Sequence, residues 1–326
     1  MPIEVRSALS PLATPLAVAN GGTAATTAAG ARTNLGIGNA GLAGAAPLQC
    51  GRLTLTSGVP VTTSDVTGAS TVYLTPWRGN VLSIYDGSDW VPYVFPELSR
   101  SLSGLTSGKN YDLFAYLSGG SPVIDLGPAW TGDQTRSSAV SLLNGIYVNA
   151  SSFTSIMAGA TVAANRGVLL GTIRTTGTNT TEDSSRKGFL SDARNPAGKP
   201  CFLNCTGGIH TYGSTTARNW ANDSTNIIEW INSIPQDNAL LGLRGSIGHT
   251  GGSNFCMFSV AYDGTVPTGP NVGLYSSSGT NLVDTGQMFR IPVWTVGYHS
   301  ARVMETGDPT ATVTFYYAEV CCVREG

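Results

Sequence analysis

The chain has 326 residues and a formal net charge of −2, and only 12% of its residues are charged, against about 25% in typical soluble domains. Thr, Ser, Gly, Ala and Asn take the place of the missing charges, a bias that favours strands and turns over helical bundles. A nearly neutral chain with only 18 Lys and Arg residues lacks the clustered positive charge that nucleic-acid and anionic-membrane binding require.

The N-terminus does not have the pattern of a targeting signal. Residues 1–6 contain no basic run that leads into an apolar stretch, and Pro11 and Pro15 interrupt the residues after them. We therefore predict no signal peptide and expect the chain to stay in the cytoplasm of the cell that makes it. We also predict no membrane insertion, because no segment reaches the roughly 18 consecutive apolar residues of a membrane helix.

Residues 1–47 form a segment of very low charge, and Arg32 is the one charged residue between positions 7 and 51. The segment has too few large side chains to build its own core and is expected to be extended. Its small residues would let several chains approach closely around a shared axis; a flexible linker is the alternative. Residues 24–35 could also form a short helix that Thr23 caps and Gly36 ends.

Residues 21–36 carry the most specific signal, the string GGTAATTAAGARTNLG. It resembles the GGTGATTAAGARTNLGL-type element of tail fibre and related virion fibre proteins of tailed bacteriophages, with Ala24 where glycine is usual. The resemblance implies a homotrimeric virion protein that joins other virion proteins through residues 1–47. The residues it implicates in attachment and assembly are Gly21, Gly22, Thr23, Arg32, Asn34 and Leu35. Because phages leave by lysis, a missing signal peptide is compatible with exposure on the particle.

Residues 48–187 are predicted to form a small β domain. Apolar residues alternate with polar ones at Leu53, Leu55, Val59 and Val61. Asp86-Gly87, Asn144-Gly145 and the Ser118 to Pro122 stretch each separate two strand-like runs, as in β-hairpins. The block from Tyr73 to Thr176 also resembles a module that recurs in phage tail and fibre proteins.

One stretch of this block has two interpretations, and another indicates where the block ends. Leu105 to Leu113 resembles the tyrosine corner of fibronectin-like sandwiches, with Tyr111 opening a strand, or is a generic loop. The polar, turn-rich stretch from Gly177 to Lys187 indicates a domain boundary near residue 188.

Residues 188–326 contain many short strand-like runs joined by Gly, Ser, Asn and Pro turns, which predicts a C-terminal β-sandwich of jelly-roll type. The predicted strands cover residues 227–231, 239–243, 255–260, 288–294 and 311–317. The segment from Gly297 through the Gly307–Pro309 turn to the last strand resembles the closing hairpin of trimeric fibre heads. The predicted fold is therefore mainly β throughout, and the resemblance implies a homotrimer.

The motifs of common enzymes are missing, so we predict no catalytic residues, no metal and no cofactor. Glu182 and Asp183 are adjacent carboxylates, but a solvated loop is the favoured interpretation, and no nucleophile elbow G-x-S-x-G occurs. His210, His249 and His299 are predicted to be surface or turn residues. Cys201 and Cys205 could form half of a zinc site, although buried, reduced, packing cysteines are favoured. Cys321 and Cys322 should point to opposite faces of a strand.

Sugar binding is easier to support than catalysis. Aromatic rings stack on sugars while polar side chains bind their hydroxyls, and the segment from Ile209 to Asp223 offers both in an apparent loop. Tyr212, Arg218 and Trp220 are the candidate receptor-binding residues. The competing interpretation places its aromatic residues in a core or a subunit interface.

The sequence leaves three candidate functions. The favoured one is a phage tail fibre that attaches the virion to a glycan or protein of the host surface, where trimeric avidity would make weak contacts sufficient. The alternative is a capsid-decorating head fibre, or a baseplate or tail adaptor, without receptor binding. A depolymerase would need solenoid repeats and a carboxylate cluster, and the sequence shows neither.

Overall fold

The computed structural model describes residues 22–27, 30–31, 34–35, 47–194, 199–250, 255–268, 271–275 and 280–325. Nearly all regular structure in these ranges is β, as predicted, and it forms several antiparallel sheets. Among the same residues, no helix is long and apolar enough to cross a bilayer.

The strands up to residue 192 are β1 (Arg52–Thr54), β2 (Val66–Ala69), β3 (Thr71–Thr75), β4 (Val81–Tyr85), β5 (Trp90–Val94), β6 (Leu98–Ser101), β7 (Asn110–Ser118), β8 (Ser121–Leu126), β9 (Val140–Leu143), β10 (Ile146–Asn149), β11 (Phe153–Thr154), β12 (Thr161–Val162), β13 (Val168–Gly177), β14 (Thr180–Asp183), β15 (Lys187–Gly188) and β16 (Leu190–Asp192). The later strands are β17 (Cys201–Asn204), β18 (His210–Thr211), β19 (Arg218–Asn219), β20 (Ile227–Asn232), β21 (Gln236–Thr250), β22 (Phe255–Tyr262), β23 (Asn271–Tyr275), β24 (Thr280–Trp294), β25 (Gly297–Thr306) and β26 (Thr312–Glu325). A short 3₁₀ turn, Trp220–Asn222, follows β19.

The predicted hairpins are confirmed. Residues 86–89 connect β4 and β5, whose ends pair Tyr85 with Trp90. Asn144 and Gly145 connect β9 and β10 with φ angles of 52° and 84°. Gly119 and Gly120 connect β7 and β8 with φ angles of 57° and 81°. Positive φ at both central positions matches the twist of the flanking strands, which explains why these dipeptides specify the turns.

The first half of the chain encloses its own apolar core. Buried side chains of β3, β4, β7, β8 and β13 meet there, and the core extends from Leu53 to Leu190. Val59 and Val61, which we predicted on a strand, lie instead in a loop where they are 39% and 42% exposed. Their alternation with polar residues therefore did not indicate a buried strand face.

The tyrosine-corner interpretation fits the structure. Tyr111 is 2% exposed, and its hydroxyl accepts a hydrogen bond from the backbone N–H of Thr106 at 3.0 Å. A tyrosine that binds the backbone a few residues upstream is the defining bond of this corner. It anchors the loop that precedes β7.

The polar stretch from Gly177 to Lys187 is part of a sheet, which corrects its interpretation as a solvated connector. The chain turns back at Asn179, where φ is 64°, and β14 then pairs with β13, β2 and β15. Thr181 is fully buried and Asp183 is 8% exposed. The polar side chains find partners inside the sheet; the Thr181 hydroxyl, for example, donates to the carbonyl of Arg174 at 2.6 Å.

The second half consists of two sheets that enclose a second core. One sheet has the order β17-β26-β21-β24, and the other contains the order β23-β22-β25-β20. Apolar side chains from both sheets meet between them, from Cys201 to Cys322, with Trp230 and Phe258 among the fully buried ones. Each strand predicted here overlaps an observed strand, and β21, β24 and β26 are considerably longer than predicted.

One sheet continues from the first half into the second. β15 pairs with β14 in the first half and runs parallel to β20 in the second, with Lys187 opposite Glu229. The domain boundary predicted at 187/188 falls within β15, and the division into 48–187 and 188–326 stays a prediction. Side chains reinforce the joint, because Arg136 binds both Asp112 in β7 and the carbonyl of Ser233 just after β20.

The corner generates a stability prediction. Replacing Tyr111 with Phe should lower the free energy of unfolding by about 1 kcal/mol, because one buried hydroxyl bond is lost. Urea unfolding of wild type and variant would measure the change. Tyr93→Phe is the matched control, since the Tyr93 hydroxyl makes no hydrogen bond to the described residues. Equal losses in the two variants would show that the Thr106–Tyr111 bond contributes nothing specific.

Candidate binding sites

The N-terminal element has a definite local structure where it is described. Gly22, Thr23, Asn34 and Leu35 lie within the described residues, whereas Gly21 and Arg32 lie outside them. Helical hydrogen bonds join the N–H of Ala31 to the carbonyl of Thr27 at 2.9 Å, and that of Leu35 to Ala31 at 3.1 Å. The element therefore contains a short helical turn.

Thr27 caps this turn, which corrects the predicted cap at Thr23. The Thr27 hydroxyl accepts the N–H of Gly30 at 3.0 Å, the bond that an N-cap threonine makes to an otherwise unpaired donor. Thr23 has a different role, because its carbonyl accepts a hydrogen bond from the side-chain amide of Asn34 at 2.8 Å. This bond spans 11 residues and ties the start of the element to its end.

Ala24 adopts a left-handed backbone conformation with a φ of 50°. Such a conformation costs an L-residue about 1–2 kcal/mol, and glycine avoids the clash. Glycine at position 24 would therefore remove this local strain. Leu35, at the other end, is 49% exposed and presents an apolar side chain at the surface.

The three candidate receptor residues separate into a surface pair and a core residue. The guanidinium of Arg218 lies 3.7 Å from the ring centre of Tyr212, close enough for a cation–π contact. Both side chains are partly exposed. Trp220 is 1% exposed and packs edge-on against Phe315, with ring centres 5.5 Å apart. Its predicted sugar-stacking role is wrong, because the 3₁₀ turn at Trp220–Asn222 directs the indole into the core.

A buried carboxylate fixes Arg218. Glu305 is fully buried, and its two oxygens accept Nε of Arg218 at 2.6 Å and contact Nε2 of His210 at 2.5 Å. His210 also stacks on Phe315 with 5.5 Å between ring centres. Since β19 and β25 pair Arg218 with Glu305 directly, the sheet register sets this geometry.

The remaining histidines are buried, so their assignment to the surface is wrong. His249 and His299 both have 0% exposure. His249 contacts Asp308 through Nε2 at 3.1 Å, and His299 contacts Asp263 through Nδ1 at 2.7 Å. A buried imidazole needs such polar partners. The glycine- and threonine-containing sequences around His249 and His299 suggested turns, but both residues lie on long strands.

Three of the six cysteines are buried, as predicted, and Cys50, Cys205 and Cys321 are partly exposed. Cys201, Cys256 and Cys322 are buried, and Cys321 is on the opposite face of β26 from Cys322. Burial raises the pKa of the Cys205 thiol to about 12, so this side chain is a neutral thiol near neutral pH. Among the described residues, no group of three His, Cys, Asp or Glu side chains is placed to hold a metal.

Asp183 is a further candidate that the sequence analysis missed. It lines a cleft of about 600 Å³ together with Asp192, Arg52 and Lys199. Sequence reasoning paired Asp183 with its neighbour Glu182, but on a strand these two side chains point to opposite faces. Adjacency in sequence thus hid the relevant neighbours, which come from positions 52, 192 and 199.

The N-terminal element yields a prediction of local stability. Ala24→Gly should slow hydrogen exchange over residues 22–35, because it relieves the left-handed strain by up to about 1 kcal/mol. Asn34→Ala should accelerate exchange there by removing the bond to Thr23. Hydrogen–deuterium exchange mass spectrometry of the full chain measures both changes. Thr26→Ala is the control for an exposed threonine, and unchanged exchange in both test variants would contradict the closed geometry.

The buried carboxylate yields a second prediction. Glu305→Gln should lower the free energy of unfolding by about 2 kcal/mol, since hydrogen bonds to charged groups are worth about 1.5–3 kcal/mol. The matched control is Asp284→Asn, which weakens an exposed pair with Arg244 at 3.7 Å and should cost under about 1 kcal/mol. Denaturant unfolding of the wild type and both variants measures the two losses of unfolding free energy. A smaller loss in Glu305→Gln than in the control would rule out a structural role for the buried network.

No family model and no curated protein matches this chain. Solved structures resemble it weakly. The VP2 subviral particle of infectious bursal disease virus gives a TM-score of 0.26 at 12% identity, covering 87% of this chain and 75% of that one. Latent PorU from Porphyromonas gingivalis gives 0.25 at 10% identity, covering 68% and 24%. The insecticidal δ-endotoxin Cry8Ea1 from Bacillus thuringiensis gives 0.22 at 10% identity, covering 86% and 52%. The chain thus spans about a quarter of PorU and half of Cry8Ea1, and similarities at this level assign neither a family nor a function.

Proposed function

We propose that this chain is a structural subunit of a bacteriophage particle, a homotrimeric fibre that attaches the virion to the host surface. The observation that carries the proposal is the string at residues 21–36, which resembles the attachment element of phage fibres. Its described part forms a capped, closed turn, a shape suited to docking as a unit. The proposal places the protein on the virion surface and assigns it no catalytic step.

The C-terminal half supports a jelly-roll head. If β17, β20, β21, β22, β23, β24, β25 and β26 are counted as strands one to eight, the two sheets have the orders 1-8-3-6 and 2-7-4-5. This order is the one expected of a jelly roll, an architecture of viral capsid and lectin domains. The fold is therefore compatible with binding to another particle component or to a glycan.

The Tyr212–Arg218 pair is a proposed receptor contact on this head. Glu305 holds the guanidinium in place from the interior, so the exposed part of Arg218 is presented without a large entropic cost of ordering. In a trimer, three such contacts would act together, and avidity would compensate for weak single-site binding.

Electron microscopy of phage labelled with antibody against residues 188–326 tests the proposal. Label at the distal end of the tail is expected for an attachment fibre, and the same antibody should then block adsorption. Label on the head would instead assign the chain to capsid decoration and overturn the receptor-binding function.

A deletion tests the attachment segment. Removal of residues 1–47 should leave a folded β protein that no longer joins particles, because both apolar cores begin after residue 52. Circular dichroism reports the fold, and immunoblotting of purified virions reports incorporation. Incorporation at the wild-type level would show that the docking residues lie elsewhere.

A further inference from the structure

A cleft of about 600 Å³ lies beside the joint between the two halves of the chain. β1, the loop at residues 60–63, β14 and β16 form most of its lining, and Lys199 and Pro200 close it from the side of the second half. Its size falls within the roughly 300–1,000 Å³ of small-molecule sites.

The floor of the cleft contains two carboxylates of different kinds. Asp192 is part of the scaffold: Oδ2 accepts the N–H of Leu53 at 2.9 Å, and both oxygens bind the Arg194 guanidinium, at 3.1 and 3.3 Å. Asp183 is 8% exposed and also lines the cleft. β14 holds it in register opposite Val66 and Gly188, so its position is fixed by two neighbouring strands.

An ion pair defines the rim. Asp65 binds Lys199 and also accepts the N–H and the hydroxyl of Ser185, each at 2.9 Å. The hydrogen bond from Lys199 keeps the pKa of Asp65 below its ordinary value. These bonds join the loop after residue 63 to Lys199, a lining residue before β17, and to the turn before β15.

The lining combines three kinds of group in one cavity. Asp183 provides carboxylate acceptors, and Arg52 and Lys199 provide cationic donors. The hydroxyls of Thr62 and Thr63 can both donate and accept. Pro60, Val61 and Pro200 supply apolar surface, and none of the described lining residues is aromatic.

This combination selects among ligand classes. A purely apolar ligand would displace water from the carboxylates and cationic groups of the lining without replacing its hydrogen bonds, which is costly. A nucleobase would lack an aromatic ring to stack on. A saccharide suits every kind of group, because its hydroxyls donate to a carboxylate and accept from Lys, Arg or Thr while its C–H surface contacts proline and valine.

We propose that this cleft binds a saccharide unit through Asp183, Arg52 and the threonine hydroxyls. The identification of that sugar as part of the host surface rests on the proposed function. The cleft, and not the Tyr212–Arg218 pair, is then the principal sugar site, since it offers a concave volume and places Asp183 and Arg52 on strands.

Saturation-transfer NMR of the full chain tests the proposal with methyl glycosides of glucose, galactose, mannose, rhamnose, N-acetylglucosamine and N-acetylgalactosamine. At least one of these sugars should bind the wild type. Thr63→Trp should obstruct the mouth and abolish binding, and Thr67→Trp, on an exposed position of β2 outside the cleft, should leave it unchanged. Asp183→Asn should weaken binding about tenfold through loss of charge-assisted bonds.

Thermal melting of each variant separates a loss of fold from a loss of binding, and Thr63→Trp carries the test if Asp183→Asn does not fold. Binding of none of the six glycosides, or binding that survives Thr63→Trp and is lost in Arg218→Ala, would overturn the cleft proposal. If particles that carry Thr63→Trp adsorb normally and the antibody still labels the tail end, the fibre function would stand. The cleft would then have no part in that function. If the protein is located on the head and its cleft binds sugar, the cleft proposal would stand and the tail-fibre function would be overturned.

Discussion

The hydrogen bonds between β15 and β20 place both halves of the chain in one continuous sheet, although each half has its own apolar core. The pairing is parallel and short, so backbone bonds alone would hold it weakly. Arg136 strengthens it. Its guanidinium binds Asp112 at 2.8 Å, reaches the carbonyl of Ser233, and lies 4.5 Å from the ring centre of Trp130.

A second contact supports the same joint from the loop after β8. Arg174 bonds to Asp133 at 2.8 Å and lies 4.0 Å from the ring centre of Tyr298. The Tyr298 hydroxyl donates to Glu229 at 2.6 Å. Burial of the phenol, together with this bond to a carboxylate, raises the pKa of Tyr298. The candidate saccharide cleft draws its lining from both halves of the chain that this joint connects.

The low charge content acquires a physical meaning in this fold. Several of the few charged side chains pair with a buried carboxylate, as Arg136 does with Asp112, Arg194 with Asp192, and Arg218 with Glu305. Buried pairs of this kind are expensive to desolvate and add little net stability, but breaking one is costly. They therefore restrict how strands can pair, and the surface is left mainly to threonine, serine, asparagine and glycine.

Local features of this protein could be predicted from the sequence. The mainly β fold, the turns at Asn144-Gly145 and Gly119-Gly120, and the opposite faces of Cys321 and Cys322 follow from backbone preferences and period-two alternation. Neither of these causes depends on distant residues. The burial of several side chains, in contrast, depends on long-range packing. Trp220, His299 and Asp183 all lie in short polar or glycine-containing stretches, and their burial arises from partners far away in the sequence, or from sheet registers that no local pattern encodes. The cleft has the same origin, because strand pairing brings residues 52, 183 and 199 to one place.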